Sequence, residues 1–210
     1  MHIYAFGSVC RGEVDISSDI DMLAISDNHH TQFNTNDYSI YSYLRINQLW
    51  EEGNPFAWHL YQESRLVYTS NKIDFLKSIG KPNIYQNGYI DCKKFYDIFL
   101  YSKKSIEQSC FTEIFDLSSI FLAIRNFATC FSLATSNVPS FSRNSAYHLG
   151  ANNISISNTA YKILERARIL CTRGMGKMLT ACEILEAKLI LKDIDLWMLK
   201  ILKIFKVKIL

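Results

Sequence analysis

An α+β protein is expected, with a small β-sheet domain at the N-terminus followed by an α-helical bundle domain. Three observations predict it. Short apolar runs of strand length occupy the first 70 residues, and long segments with helical spacing fill the remainder. The change of character falls at Lys81-Pro82-Asn83, so one domain is placed over 1–84 and a second over 85–210.

Each element has a local reason. His2–Phe6 is a short apolar run closed by Gly7-Ser8, and it reads as a strand. Ile20–Ile25 is a second apolar run, beginning at an acidic pair, and Tyr38–Tyr43 is rich in β-formers. The stretch Asp27–Asp37 between them is polar and reads as a loop. Leu44–Glu52 has helical character and stops at Gly53. Asn54-Pro55 then offers an N-cap followed by Pro at the first helical position, opening a short helix through Glu63. Leu66–Tyr68 is placed as a short closing strand. Beyond the boundary, helices are expected over Asp91–Ser109, Thr112–Ala134, Asn158–Cys171 and Thr180–Phe205. The last of these opens with Thr180-Ala-Cys-Glu183, the spacing of a capping box.

With 49% hydrophobic and 20% charged residues, the composition is that of a globular chain and not of a disordered one. A net charge of +3 is too small to argue for nucleic acid. The charge is uneven, however. From Leu196 to Leu210 there are four lysines, Lys200, Lys203, Lys206 and Lys208, and no acid. Six cysteines, at 10, 92, 110, 130, 171 and 182, lack both the C-x-x-C spacing and a Cys/His cluster. Five of them lie in apolar surroundings, as buried thiols of a reducing compartment would. The chain opens directly on a motif without a basic region and apolar core, and no run of 18 or more apolar residues occurs. A soluble cytoplasmic protein with no membrane partner is therefore expected.

The chemistry gathers near the N-terminus, in Phe6-Gly7-Ser8-Val9-Cys10-Arg11-Gly12-Glu13 and Ser18-Asp19-Ile20-Asp21. Two carboxylates at i and i+2 on a strand point to one face, because side chains alternate. Asp19 and Asp21 would then coordinate Mg²⁺ jointly, a hard cation that takes oxygen ligands together with substrate phosphates. A strand ending in Gly7-Ser8 makes a tight turn where backbone can approach a triphosphate, with the hydroxyl and nearby N–H groups as donors. Arg11 adds a cation able to offset phosphate charge.

This pattern resembles the polymerase-beta-like nucleotidyltransferase superfamily, whose signature is Gly-Ser, a spacer of about ten residues, and Asp-x-Asp. Here the spacer runs from Val9 to Ser18, ten residues. The form is closest to the minimal nucleotidyltransferases and antibiotic nucleotidyltransferases, and the resemblance covers roughly residues 1–70. It implies phosphoryl transfer at a two-metal Mg²⁺ site, with a hydroxyl attacking the α-phosphorus of a nucleoside triphosphate, ATP being the expected one. It also implies a third carboxylate on a later strand, as base or ligand. Asp37 is the best candidate, sharing a face by alternation with Ser39 and Tyr41; should Ser39 hold the family's third position, that carboxylate is missing. Relatives carry a helix before the first strand, whereas this strand begins at residue 2. Either a partner covers that face, or the sequence starts short.

The helical half resembles HEPN domains at one point, Arg143-Asn-Ser-Ala-Tyr-His148, the Arg-to-His spacing of their ribonuclease motif, although the preceding Val138-Pro139-Ser140 reads as loop. Arg125 lies in the nearly all-apolar Ile120–Leu133 and is expected buried and paired with Asp116 or another acid. Arg173-Gly174-Met175-Gly176-Lys177 reads as a helix stop at glycine before a phosphate cradle. His29, His30 and His59 lack ligand-spaced partners and receive no metal role. The leading reading is an Mg²⁺-dependent nucleotidyltransferase with a protein or RNA hydroxyl as acceptor, in a toxin–antitoxin or defence-like setting, acting as a homo- or hetero-oligomer. Two alternatives stand beside it: a non-catalytic, antitoxin-like interaction protein with a degenerate transferase fold, and a ribonuclease using Arg143 and His148.

Overall fold

The computed structural model describes residues 1–14, 19–27, 33–108, 111–136 and 139–208. Ser18, His29, His30, Cys110 and Val138 lie outside the described residues, as do the side chains of Lys206 and Lys208. The chain divides into two compact units, Met1–Gln86 and Asn87–Leu210.

The first unit is a four-stranded mixed sheet with helices on one face, in the strand order β3-β2-β1-β4. Strand β1, His2–Phe6, buries His2, Tyr4 and Phe6 and turns Ile3 and Ala5 the other way, the period of two that its alternation requires. It pairs antiparallel with β2, Asp21–Ile25, in the register Tyr4 to Leu23 and Phe6 to Asp21. On its other side it pairs antiparallel with β4, Arg65–Thr69. Strand β3, Tyr38–Tyr41, runs parallel to β2, with Met22 opposite Tyr38 and Leu23 opposite Ser39. It ends two residues earlier than expected because Ser42 leaves the ladder to cap α2, accepting from the Arg45 N–H at 3.1 Å.

Helix α2 spans Tyr43–Glu51 and α3 spans Pro55–Glu63. The latter opens as its residues predict: the Asn54 side chain accepts from the Phe56 N–H at 2.9 Å, and Pro55 fills the first turn, where an N–H would have no partner. A further short helix, α4, Phe75–Ser78, starts at Asp74. The core lies between sheet and helices, where Tyr4, Phe6, Leu23 and Ile25 meet Ile46, Leu49, Trp50, Ala57, Leu60 and Leu76. Side chains such as Leu23, Ile25 and Leu60, withdrawn fully from water, each contribute ~1.5–3 kcal/mol. Two polar groups enter this core with their bonds made. Tyr4 donates its hydroxyl to Asp74 and accepts from the Leu76 N–H, both at 3.0 Å. His2 places Nε2 2.9 Å from the Ile73 carbonyl, which only a protonated Nε2 can satisfy, so Nδ1 accepts from the Tyr43 hydroxyl.

The second unit is helical. Helices α5, Gly88–Gln108, and α6, Glu113–Thr135, form an antiparallel pair, followed by single 3₁₀ turns at Ser145–Tyr147 and Gly150–Asn152 and by α7, Asn158–Arg173. The expected last helix is two: α8, Ala181–Leu189, and α9, Leu191–Lys208, parted at Ile190. No Gly or Pro marks that break; it lets α9 turn its own stripe of Leu191, Ile194, Met198 and Ile201 inward. The capping box at Thr180 and Glu183 forms as its spacing predicts, and Gly174 stops α7 in the left-handed conformation, its N–H bonded to Leu170. By length and composition α6 could cross a bilayer, but 67% of its most apolar stretch is buried within the unit, as in the core helix of a bundle.

Several single-residue expectations change. Arg125 donates to the Phe141 carbonyl at 3.3 Å, while Asp116 accepts from Ser105 and Thr112. Nine residues apart on one helix, Arg125 and Asp116 are separated by ~13 Å of rise and cannot meet. Among the described cysteines all five are free thiols; Cys92 and Cys130 are buried, whereas Cys171 and Cys182 are exposed on outward helical positions. Arg143 pairs with buried Glu165 at 3.6 Å, and His148 places Nδ1 3.3 Å from the Ser140 hydroxyl, just past a 3₁₀ turn. Neither stands on a long helix. Lys200 and Lys203 are exposed on α9.

Candidate functional site

The site is assembled where β1 ends. Past Phe6 the chain turns at Gly7, with φ 78° and ψ −145°, into helix α1, Ser8–Arg11. That backbone conformation is essentially closed to residues with a Cβ. One helical turn follows: Cys10 N–H bonds the Gly7 carbonyl at 3.1 Å and Glu13 N–H the Ser8 carbonyl at 2.9 Å. Gly12, left-handed at φ 75°, ends it. Ser8 is buried at the first position of α1.

Asp21 stands directly against this turn. It is the first residue of β2 and the register partner of Phe6. A Cβ built on Gly7 would collide with Asp21 Oδ2 and lie 3.4 Å from its Cγ. The glycine therefore meets two demands at once, a conformation and a space, and the space is filled by a carboxylate.

Asp19, Asp21 and Asp37 line one cavity of about 400 Å³, together with Ile20, Met22, Thr35, Asn36, Tyr38 and Ser39. Asp19 precedes β2 and does not lie within it, and it is exposed. Asp37 closes a turn, with its N–H bonded to the Asn34 carbonyl at 3.0 Å, immediately before β3. Because Tyr38 pairs with Met22 in parallel, Asp37 stands level with Asp21 on the neighbouring strand, and Ser39 stands two pairs further in, opposite Leu23. Among the described residues no three His, Cys, Asp or Glu side chains group to hold a metal ion. The carboxylates thus share a cavity without closing into a three-ligand cage. Paired oxygen donors beside an open cavity still match Mg²⁺, which commonly binds through one or two carboxylates and completes its shell with water and substrate phosphates.

Arg11 faces elsewhere. Its Nε bonds Glu13 at 3.0 Å and its other guanidinium nitrogen bonds Glu63 at the end of α3. His59, one turn earlier on α3, places Nε2 2.8 Å from the same Glu63 oxygen. Cys10, on α1 between the two motifs, donates to the Ala5 carbonyl at 3.4 Å; burial holds its thiol above the ordinary value, against the lowering influence of Arg65. Glu63 and the lining residues Thr35 and Asn36 escape sequence reading. The available signal for Glu63 was slight, a carboxylate four residues after a histidine on a largely apolar helix.

Residues 2–83 match the family model described as a nucleotidyltransferase domain. No curated protein and no solved structure matches the chain. The match covers the whole sheet, helices α1 to α4 and the turn at Gly7. That match is consistent with a polymerase-beta-like nucleotidyltransferase domain over residues 2–83, and it supports nucleotidyl transfer in general.

Proposed function

We propose that this chain is an Mg²⁺-dependent nucleotidyltransferase that moves a nucleoside monophosphate from a triphosphate, ATP in the first instance, onto a hydroxyl of a protein or nucleic acid. The observation that carries the reading is the bare backbone of Gly7 against Asp21, a carboxylate that lines one cavity with Asp19 and Asp37.

In this reading the Gly7-Ser8 turn receives the phosphates through backbone N–H groups, while Arg11, paired with Glu13 and Glu63, steadies the exit of the turn. Asp19 and Asp21 would hold Mg²⁺, which when bound supplies Lewis-acid neutralisation of phosphate charge. The acceptor oxygen forms a bond to the α-phosphorus, the bond to the bridging oxygen breaks, and pyrophosphate departs with the electron pair. Asp37, level with Asp21, takes the acceptor's proton. A small polyamine-like acceptor calls for clustered acids, of which the helical half offers few in its sequence; a protein or nucleic-acid hydroxyl is favoured for that reason. A toxin–antitoxin or defence-like setting, in the cytoplasm, belongs to the same proposal and draws on the helical companion unit.

A second reading, a non-catalytic interaction protein with a degenerate site, is favoured by the missing three-ligand group among the described residues and by Ser39 standing opposite Leu23. One assay separates the two. Labelled nucleoside triphosphate is incubated with the full chain and candidate acceptors with Mg²⁺ or with chelator. Label that transfers only with Mg²⁺ and disappears in Asp19→Asn and Asp21→Asn supports the enzyme. Label that persists in Asp21→Asn, or tight partner binding with no transfer at all, overturns it.

A further inference from the structure

We infer that Glu63 is a positioning residue for the phosphate-binding turn, acting through Arg11 and His59; the inference rests on the transferase reading for its kinetic part only. Helix α1 has four residues, too few to hold its shape unaided, since one helical turn fixes several dihedrals for a single hydrogen bond. Something outside must hold it. Arg11, the last residue of α1, is tied to Glu63, and Glu63 sits on the final turn of α3, which is anchored in the core by Ala57 and Leu60.

The clamp grips the turn from both ends. On the far side Arg11 holds the exit of α1. On the near side His59 packs edge-on against Phe6, ring centres 5.5 Å apart, and Phe6 is the residue immediately before Gly7. Both contacts converge on one Glu63 oxygen: the Arg11 guanidinium donates to it, and His59 Nε2 stands 2.8 Å away. Glu63 is 8% exposed and Arg11 and His59 are each 16% exposed. A carboxylate so withdrawn from water is retained only where donors replace its hydration, and breaking one side leaves a buried charge uncompensated. The consequence is transmitted forward. Any shift of α1 moves Gly7, and Gly7 is in contact range of Asp21, so the same clamp sets the gap between phosphate turn and carboxylate. Arg11 in this account works as the handle of the turn, with its guanidinium committed to Glu13 and Glu63.

The test uses the full chain in five forms: wild type, Glu63→Gln, Glu63→Ala, Arg11→Glu, and the exchange Arg11→Glu with Glu63→Arg. Hydrogen exchange of the Cys10, Gly12 and Glu13 amides reports the turn without any reference to activity. We expect exchange there to rise about tenfold or more in Glu63→Ala while the α2 amides are unchanged, with Glu63→Gln intermediate. Steady-state transfer supplies the second readout: KM for the triphosphate rises about tenfold and kcat changes by less than about threefold, the pattern of lost binding geometry and not of lost chemistry. The exchanged pair restores both toward wild type. Unaltered amide exchange in Glu63→Ala overturns the positioning role. So does an exchanged pair that is no better than Arg11→Glu alone, which would place Arg11 on the triphosphate itself. A wild-type protein that transfers no nucleotide sinks the transferase reading while the exchange measurement still decides the clamp.

Discussion

Replacing Gly7 by alanine separates the two demands placed on that residue. At φ 78° and ψ −145° an alanine sits in a region that costs ~1–3 kcal/mol for a residue with a Cβ. Taking ~2 kcal/mol, a unit of this size should unfold ~8–16 °C lower. The methyl also enters the space of Asp21 Oδ2, so the carboxylate or the turn must move. A displacement near 1 Å at a reacting centre costs about 10²-fold in rate, or ~2.7 kcal/mol of activation free energy. Gly12 provides the control. It too is left-handed, at φ 75°, yet a Cβ there meets nothing within 4 Å. Gly12→Ala should therefore cost ~1–2 kcal/mol of stability while leaving the transfer rate nearly intact. Both variants are melted by circular dichroism and assayed for Mg²⁺-dependent label transfer well below their midpoints. Equal transfer rates in the two, once both are folded, refute the contact between turn and carboxylate as the reason for glycine.

Two further outcomes concern stability. Tyr4→Phe removes the acceptor of a buried Leu76 N–H and the donor to Asp74, and should destabilise the first unit by ~1–3 kcal/mol, read as a lower urea midpoint with an unchanged slope. Glu183, held down to about 2 chiefly by Arg166 at 2.5 Å and also by the Thr180 cap, has a folded value below its unfolded one near 4.5. Its contribution is therefore complete above about pH 4.5 and is lost as pH falls toward 2. In Glu183→Gln the acid limb of the thermal midpoint should flatten over that window; an identical limb removes the pairing from consideration.

Some of this molecule was legible because its causes are local. Tyr4 and Phe6 alternate with Ile3 and Ala5, so β1 could be read from a period of two. Asn54-Pro55 and Thr180 through Glu183 carry their caps within four residues, and both caps form. Gly174 ends its helix for the same short-range reason. The break at Ile190 was missed because packing and not a punctuating residue settles it, and the end of β3 at Tyr41 was missed because the Ser42 cap sits inside a run of β-formers.

What the chain determined by itself is a pattern: a Gly-Ser turn after a strand and an Asp-x-Asp opening the next, within the stretch that matches the nucleotidyltransferase domain. Tertiary structure alone decided what the pattern means in space. Register sets Asp21 against Gly7, parallel pairing brings Asp37 level with it, and α3 delivers Glu63 to Arg11 across 52 positions of sequence. Contacts of that range carry no periodic or compositional trace, because they depend on which faces the core buries and on where each strand comes to rest beside its neighbour.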